Sequence, residues 1–280
     1  MNIEKAITNA TKVLINKNIK SPKLDCEILM SKILKKDRKF IILNPQTELK
    51  KESLNSYEEL INQRLEGKPI AYLTGKKDFW NNQFNINENV LIPRPDTEIV
   101  IEEVLRLCKF KNKLNILDIG IGSGCILLSI LNEKKDFYGV GIDKSKKCID
   151  LSKLNALNFG LKNRIKFFKS DVDNFNYGKY DLIISNPPYI SHVDLHYLNK
   201  EVVNFEPRLA LDGGLDGLSG IRKVVRKSSE LIKKNGRLVL EIGFDQKLKV
   251  EKILKNKGFY INKILKDYSN NDRCIVSTKL

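Results

Sequence analysis

No apolar stretch in this 280-residue chain approaches the ~20 uncharged residues that a membrane-spanning helix needs. The start, Met1-Asn2-Ile3-Glu4-Lys5-Ala6, lacks the long apolar core and small-residue cleavage site of a secretory signal. A cytoplasmic protein without a membrane partner is expected. Histidine is nearly missing, with only His192 and His196. Four apart, they would share one helical face, but a metal centre needs further ligands and none stands nearby in the sequence. No metal is expected. The five cysteines (Cys26, Cys108, Cys125, Cys148 and Cys274) are odd in number, scattered, and form no Cys-x-x-Cys pair. That pattern speaks against a disulfide framework and a structural zinc site; reduced, buried thiols are expected. Acid is scarce relative to base: 34 Asp and Glu stand against 50 Lys and Arg, a net charge of +16. Such an excess suits an anionic partner such as nucleic acid. It equally suits a composition rich in Lys, Asn and Ile, with lysines on exposed helix faces. Charge alone does not choose the substrate.

What is present divides the chain into two regions of different period. In the first ~75 residues the apolar spacing is helical. Ile3, Ile7, Val13, Leu14 and Ile15 open one amphipathic segment. Ser21-Pro22 has the form of an N-cap followed by proline in the first turn, and Leu24, Ile28, Leu29, Ile33 and Leu34 mark the expected buried face. A third segment runs from about Ser53 to Leu65 and is closed by Gly67-Lys68-Pro69. A small helical bundle follows from this. Asp78-Phe79-Trp80 and Gln83-Phe84-Asn85-Ile86 then flank Asn81-Asn82, a hairpin pattern whose asparagines tolerate positive φ.

From about Asp96 strands and helices alternate. Short apolar strands are expected at 114–118, 137–142, 165–168, 180–185 and 237–242, with two more at 259–261 and 273–277. Continuous apolar runs between helices indicate a doubly wound α/β fold with a mostly parallel sheet covered on both faces. The short turn between the last two strands requires one of them to run antiparallel.

Two motifs in this region carry chemistry. The first strand ends in Asp118-Ile119-Gly120-Ile121-Gly122-Ser123-Gly124. Glycines here permit a tight turn and close approach of a ligand to the backbone, at the strand ends where open α/β sheets bind ligands. A dinucleotide fingerprint would need glycine or alanine at 125 or 127, where Cys125 and Leu127 stand. The Gly-x-Gly-x-Gly spacing after an acid instead resembles the first motif of class I methyltransferases. Asp143, after the second strand, can accept from both hydroxyls of a ribose or cap the helix that follows. Asp171 follows the third strand. The second motif is Asn186-Pro187-Pro188-Tyr189, after the fourth strand. An amide nitrogen is a poor nucleophile because its lone pair is delocalised. Two acceptors aimed at its N–H groups would hold it and stabilise the developing positive charge. The Asn186 side-chain oxygen and the Pro187 carbonyl are the candidates, on a backbone stiffened by consecutive prolines. Tyr189 offers a flat ring for stacking. A proline turn without a ligand is the plain alternative for this segment.

Taken together, Leu91-Ile92-Pro93-Arg94-Pro95-Asp96-Thr97-Glu98, Asp118 to Gly124, Asn186 to Ile190, Glu206-Pro207-Arg208-Leu209-Ala210-Leu211 and Gly213 to Leu218 resemble the release factor glutamine methyltransferases along essentially the whole chain. The resemblance implies a class I methyltransferase domain over 96–280 with a seven-stranded, mostly parallel sheet. It also implies a helical substrate-recognition domain over 1–75 and a β-hairpin linker over 76–95. It implies S-adenosyl-L-methionine as cofactor, held by Asp118, Gly120, Ile121, Gly122, Ser123, Gly124, Asp143, Asp171, Val172 and Asn186. It implies substrate binding by Asn186, Pro187, Pro188 and Tyr189, with Asn186, Pro187 and Tyr189 catalytic. The implied substrate is the Gly-Gly-Gln glutamine of class 1 peptide chain release factors, and the expected state is a monomer. Some relatives carry tryptophan where Val172 stands, so aromatic stacking on adenine is lost here. Arg94 and Glu98 are expected to shape the site from outside the core motifs. Because Asn-Pro-Pro-Tyr is shared with adenine-N6 methyltransferases, a DNA or RNA methyltransferase is the competing activity. A basic binding protein with a vestigial pocket is the non-enzymatic alternative.

Overall fold

The Asn2 side chain accepts the Lys5 N–H at 3.0 Å and so starts helix α1 (Ile3–Asn16), relieving one of the orphan donors of a helix N-terminus. Helices α2 (Pro22–Leu34), α3 (Arg38–Leu43), α4 (Lys51–Leu65) and α5 (Ile70–Thr74) follow. The computed structural model describes residues 1–280. Its chain forms two compact units, 1–76 with 200–205, and 77–199 with 206–280. No helix is long and apolar enough to cross a membrane.

The first unit is the expected helical bundle, with two corrections to its faces. Helix α1 buries Ile3, Ala6, Ile7, Ala10 and Leu14, while Val13 and Ile15 are exposed. Alanines at the contact let neighbouring helices approach. Helix α2 buries Asp25, Cys26, Glu27, Leu29 and Met30, and Leu24 faces out. The two carboxylates can go inside because each has a cation: Arg64 Nε lies 2.7 Å from Asp25 Oδ2, and Arg38 Nε 2.6 Å from Glu27 Oε2. Ser21 stands at the N-cap position, but its side chain makes no capping bond. Helix α3, which the apolar spacing does not announce, is capped by Asp37, whose side chain accepts the Phe40 N–H at 2.7 Å. A later helix, Lys200–Phe205, completes this unit. Its Glu201 lies 3.0 Å from Arg64 Nη1.

A hairpin of β1 (Lys76–Phe79) and β2 (Asn82–Asn85) follows, all but its first residue in the second unit. Its positive-φ residue is Trp80 (φ 54), not an asparagine. Ionic hydrogen bonds hold that unfavourable conformation. The Trp80 backbone N–H donates to Glu98 Oε1 at 2.7 Å and its indole N–H to Glu133 Oε1 at 2.9 Å. The chain then runs through α6 (Glu98–Leu107), β3 (Asn115–Ile119), α7 (Cys125–Glu133), β4 (Tyr138–Asp143), α8 (Lys146–Asn158), β5 (Ile165–Lys169), β6 (Tyr180–Ser185), α9 (the Lys200–Phe205 helix), α10 (Ser219–Leu231), β7 (Ile232–Glu241), α11 (Lys247–Lys255), β8 (Phe259–Lys266) and β9 (Asp272–Lys279).

The seven main strands form one sheet in the order β5-β4-β3-β6-β7-β9-β8. All neighbours from β5 to β7 pair in parallel, and β9 pairs antiparallel with both β7 and β8. The strands from β3 to β7 carry continuous buried runs such as Leu182, Ile183 and Ile184, or Leu238, Val239 and Leu240, as a sheet covered on both faces requires. Connections from β3 lead to β4 on one side, while β6 lies on the other. The sheet order therefore reverses between β3 and β6, and a crevice opens at the carboxyl ends of these two strands.

Asp25→Ala should leave the nearly buried Arg64 without its closest counter-charge. Because the Lys68 carbonyl and Glu201 remain as partners, the loss should fall near the lower end of the range for a broken buried pair, about 3 kcal/mol. Urea unfolding followed by circular dichroism measures it.

Candidate active site

The crevice between β3 and β6 is filled from below by a backbone with three left-handed glycines. Gly120, Gly122 and Gly124 have φ of 79, 55 and 85°, values that cost any residue with a Cβ. A Cβ on Gly124 would also fall 2.7 Å from Leu128 Cδ1. The loop is tied to the next strand: the N–H groups of Gly120 and Ile121 both donate to the Ile142 carbonyl at 2.9 Å. Ile121 lies so close on β4 that a Cβ on Gly141 would sit 2.2 Å from its Cδ1. Asp143, ending β4, accepts the Gly122 N–H at 3.1 Å on Oδ2 and the Ser145 N–H at 2.8 Å on Oδ1. Burial raises its pKa, and these two N–H groups oppose the rise. Each carboxylate oxygen keeps a further lone pair for a ligand.

A cavity of about 380 Å³ lies over this loop. Ten of the sequence-predicted site residues line it: Gly120, Ile121, Gly122, Ser123, Asp143, Asp171, Val172, Asn186, Pro187 and Pro188. Asp171 uses Oδ1 to accept the Asp173 N–H at 3.0 Å, which leaves its carboxylate further lone pairs for a ligand. Three predicted residues do not line the cavity. Gly124 begins α7 behind the loop. Asp118 is 1% exposed beneath it, with Oδ1 lacking any hydrogen-bond partner. Tyr189 turns its hydroxyl towards Glu241 Oε1 at 3.2 Å, and burial raises the pKa of its phenol. Its ring is partly buried against the core of the sheet.

Asn186 and the prolines are held partly by residues of the quoted segments and partly by two outside them, Gln246 and Gly220. The Asn186 Nδ2 donates to Thr97 Oγ1 at 3.4 Å. Gln246 Nε2 donates to the carbonyls of Tyr189 (2.8 Å) and Gly217 (3.1 Å), and its Oε1 accepts the Gly243 N–H at 3.0 Å. Gly220 approaches the Pro188 carbonyl so closely that a Cβ would stand 2.9 Å from it. Arg94 and Glu206 form an ion pair, and Glu206 Oε2 also accepts the Ile92 N–H at 3.2 Å. That pair joins the Pro93-to-Glu98 and Glu206-to-Leu211 segments on one wall, where Arg94, Pro207, Leu209 and Ala210 line the cavity. Glu98 does not line it; its carboxylate braces Trp80 instead.

Behind Tyr189 lies a buried ionic group. Glu241, at the end of β7, is 2% exposed, and its Oε2 has no hydrogen-bond partner. Burial pushes its pKa up to about 7, against the opposing effects of Thr97, Arg273 and Tyr189. Arg273 is anchored by Asp267 Oδ2 at 3.0 Å and the Ile242 carbonyl at 3.1 Å. Only the apolar tail of the β7 run was visible in the sequence; nothing there distinguishes Glu241 from an exposed strand-end acid.

In arrangement, the site can hold an adenosine-like ligand across the acids at the ends of β4 and β5. It presents an amide oxygen and a stiff proline backbone at the end of β6. Comparison with known proteins fits this geometry. Residues 5–75 match the family model described as the PrmC N-terminal domain, and residues 97–215 match the methyltransferase small domain. The chain is 37% identical to the release factor glutamine methyltransferase of Clostridium acetobutylicum, over 100% of this chain and 99% of that one. It is 35% identical to the bifunctional methyltransferase of Rickettsia typhi, over 98% of this chain but only 56% of that longer protein. A methyltransferase from Pyrococcus furiosus superposes with a TM-score of 0.52 at 15% identity, covering 78% of this chain and 96% of that one. This last likeness concerns the class I methyltransferase fold alone.

Burial pushes the Asp118 pKa up to about 8. A carboxyl group whose pKa is raised by folding stabilises the fold while it is protonated and penalises it once ionised. Its contribution is therefore full below the ordinary carboxylate range and is lost as pH rises through about 8. Asp118→Asn should accordingly gain on the parent chain as pH is raised, with the stability gap wider at high pH than at pH 6. Denaturant midpoints measured across that range check this.

Proposed function

Because this chain belongs to the release factor glutamine methyltransferase family, we propose that its site transfers a methyl group from S-adenosyl-L-methionine to the N5 side-chain amide of the glutamine in the Gly-Gly-Gln motif of class 1 peptide chain release factors. The observation that carries this proposal is the meeting of Asn186-Pro187-Pro188 with the glycine loop on one cavity.

The residues present fit the cofactor. A Cβ on Gly120 would meet nothing within 4 Å, so the bare backbone faces open space that a ligand can enter closely. Asp143 would hold the ribose hydroxyls and Asp171 would face the adenine amine, with Val172 as an apolar contact. Gly120 to Gly124 would surround the methionine part, with Asp118 supporting the loop from beneath. When bound, S-adenosyl-L-methionine supplies an activated methyl group on a sulfonium.

The chain's own part is positioning. Asn186 Oδ1 and the Pro187 carbonyl accept the two N–H groups of the substrate amide. They align its nitrogen for in-line attack and favour the positive charge that grows on it. No side-chain base is needed at the start, because the proton leaves only after the nitrogen has become cationic. Pro188 and Tyr189 keep that backbone in place. The same residues would also serve an exocyclic base amine; similarity along the whole chain to release factor glutamine methyltransferases favours the glutamine. The helical unit is assigned to recognition of the release factor. Since the substrate is a translation factor, the enzyme acts in the cytoplasm, and since one chain holds the whole site, a monomer suffices.

Asn186→Ala should bind S-adenosyl-L-methionine within about threefold of the parent while its turnover falls by roughly 10²–10³, the cost of removing one charge-stabilising group. Labelled cofactor and purified release factor measure both. A parent enzyme that leaves the Gly-Gly-Gln glutamine unmethylated beside an active control would overturn the assignment.

A further inference from the structure

The N–H groups of the glycine loop are tied to β4, but one of its carbonyls is tied to α8. Asn155 lies inside that helix, where asparagine is a poor helix former, and it is 0% exposed. Its Nδ2 donates to the Ser123 carbonyl at 2.9 Å and to the Asn85 carbonyl at 3.0 Å. Its Oδ1 accepts the Asn85 backbone N–H at 2.9 Å and the Asn85 Nδ2 at 3.0 Å. A side-chain amide has two donor hydrogens and an oxygen with two lone pairs, so all four capacities are used. Turning the amide over would set its oxygen against two carbonyls, and only one orientation serves.

The two ends of this link differ in kind. Ser123 belongs to the loop and lines the cavity. Asn85 ends β2 and does not line it, yet the chain leaving β2 does so at Glu88, Asn89, Val90 and Leu91. Cys148, Ser152, Asn155 and Phe159 follow at the spacing of one helix face. Cys148 Sγ donates to the Asn89 carbonyl at 3.3 Å. A Cβ on Gly124 would stand 3.4 Å from Ser152 Cβ, and the Phe159 ring meets Phe84 edge-on with centroids 5.0 Å apart. This face of α8 therefore touches both the loop and the segment from 84 to 89, and Asn155 is bonded to both. An apolar side chain could pack there without the penalty of burying an amide. What the fully bonded amide adds is fixed geometry between two backbones.

We propose that Asn155 is a positioning residue of the cofactor site: by binding the Ser123 carbonyl and the Asn85 backbone at once, it fixes the glycine loop against the cavity wall that follows β2. Asn155 itself does not line the cavity. Its effect is preorganisation, since a loop and a wall already held need not be ordered on binding. Through the same link, a cofactor that settles on the loop tightens the Asn85 end. The inference depends on the cofactor and not on the glutamine assignment.

Asn155→Asp is nearly isosteric; it keeps an oxygen to accept from Asn85 and loses the donor to Ser123. Asn155→Leu keeps the bulk and loses every bond. Titration calorimetry with S-adenosyl-L-methionine should give a Kd raised roughly tenfold or more in each. Turnover on purified release factor at saturating cofactor should stay within about threefold of the parent, a split between binding and kcat that a general loss of structure would not produce. In ¹⁵N-labelled full-length parent protein, saturating cofactor should slow hydrogen exchange of the Asn85 N–H by about fivefold or more, and in Asn155→Asp that slowing should largely vanish. An Asn155→Asp protein with parental cofactor Kd overturns the proposal. So does Asn85 exchange in the parent that the cofactor leaves unchanged, a measurement that needs no variant and decides even if neither substituted chain folds. A parent enzyme inactive on release factor overturns the glutamine assignment instead, and titration and exchange then decide this one.

Discussion

Everything in the site depends on the parallel pairing of β3 with β6. Its register sets Ile119 opposite Ser185, and the Ser185 hydroxyl seals the pair by donating to the Ile119 carbonyl at 2.7 Å. One residue beyond each partner the strands end: Gly120 begins one loop and Asn186 the other. Segments some 65 positions apart are thus delivered side by side by ladder geometry alone. The strand order reverses at this same pair, so no crossover covers the gap. A slip of a single residue would turn every side chain of β6 to the opposite face. The apolar runs on both strands bind the register, and the register binds the chemistry.

The cost of this arrangement is concentrated at the strand ends. Most buried polar groups in a folded chain find partners, yet two carboxylates, Asp118 at β3 and Glu241 at β7, each leave an oxygen unpaired. Both pKa values are pushed into the neutral range, about 8 and about 7. By contrast, the helical unit also buries Asp25 and Glu27, but each of these has an arginine within 2.7 Å. Where stability alone is at stake, buried charge is neutralised. Beneath the cavity it is left incompletely satisfied, which is the pattern of groups whose environment serves a ligand or its supports.

The sheet, its parallel core and its antiparallel edge were legible because apolar runs and glycine turns are local signals. So were the glycine loop, Asp143, Asp171 and Asn186 with its prolines, since each sits directly after a strand. What was not legible depends on distant partners. Asp25 and Glu27 look like surface residues of an amphipathic helix until Arg64 and Arg38 arrive. Trp80 rather than an asparagine takes the positive φ because Glu98 and Glu133 are there to hold it. Helix α9 joins the first unit although more than a hundred residues separate it from the bundle's own helices. Gln246 and Glu241 lie outside every quoted motif, and Thr97, though inside one, shows its contact with Asn186 only in the fold, because such roles are defined by what a residue faces.

That distinction also bears on how one motif serves different substrates. Four residues, Asn-Pro-Pro-Tyr, present an acceptor pair to any planar nitrogen, and their chemistry does not distinguish an amide from a base. In this chain Tyr189 stands back from the cavity wall, with its hydroxyl on Glu241 and its carbonyl on Gln246. The wall beside Asn186 is instead completed by Arg94, Pro207, Leu209 and Ala210, brought together by the Arg94–Glu206 pair. A base needs a broad stacking face, whereas a glutamine side chain is slim and needs its amide gripped at the edge. The wall here combines prolines and aliphatic groups with the Arg94 side chain, and the tyrosine lies behind it as a brace. The four motif residues alone therefore do not decide the acceptor, and the segments around 94 and 206 are what this chain sets beside them.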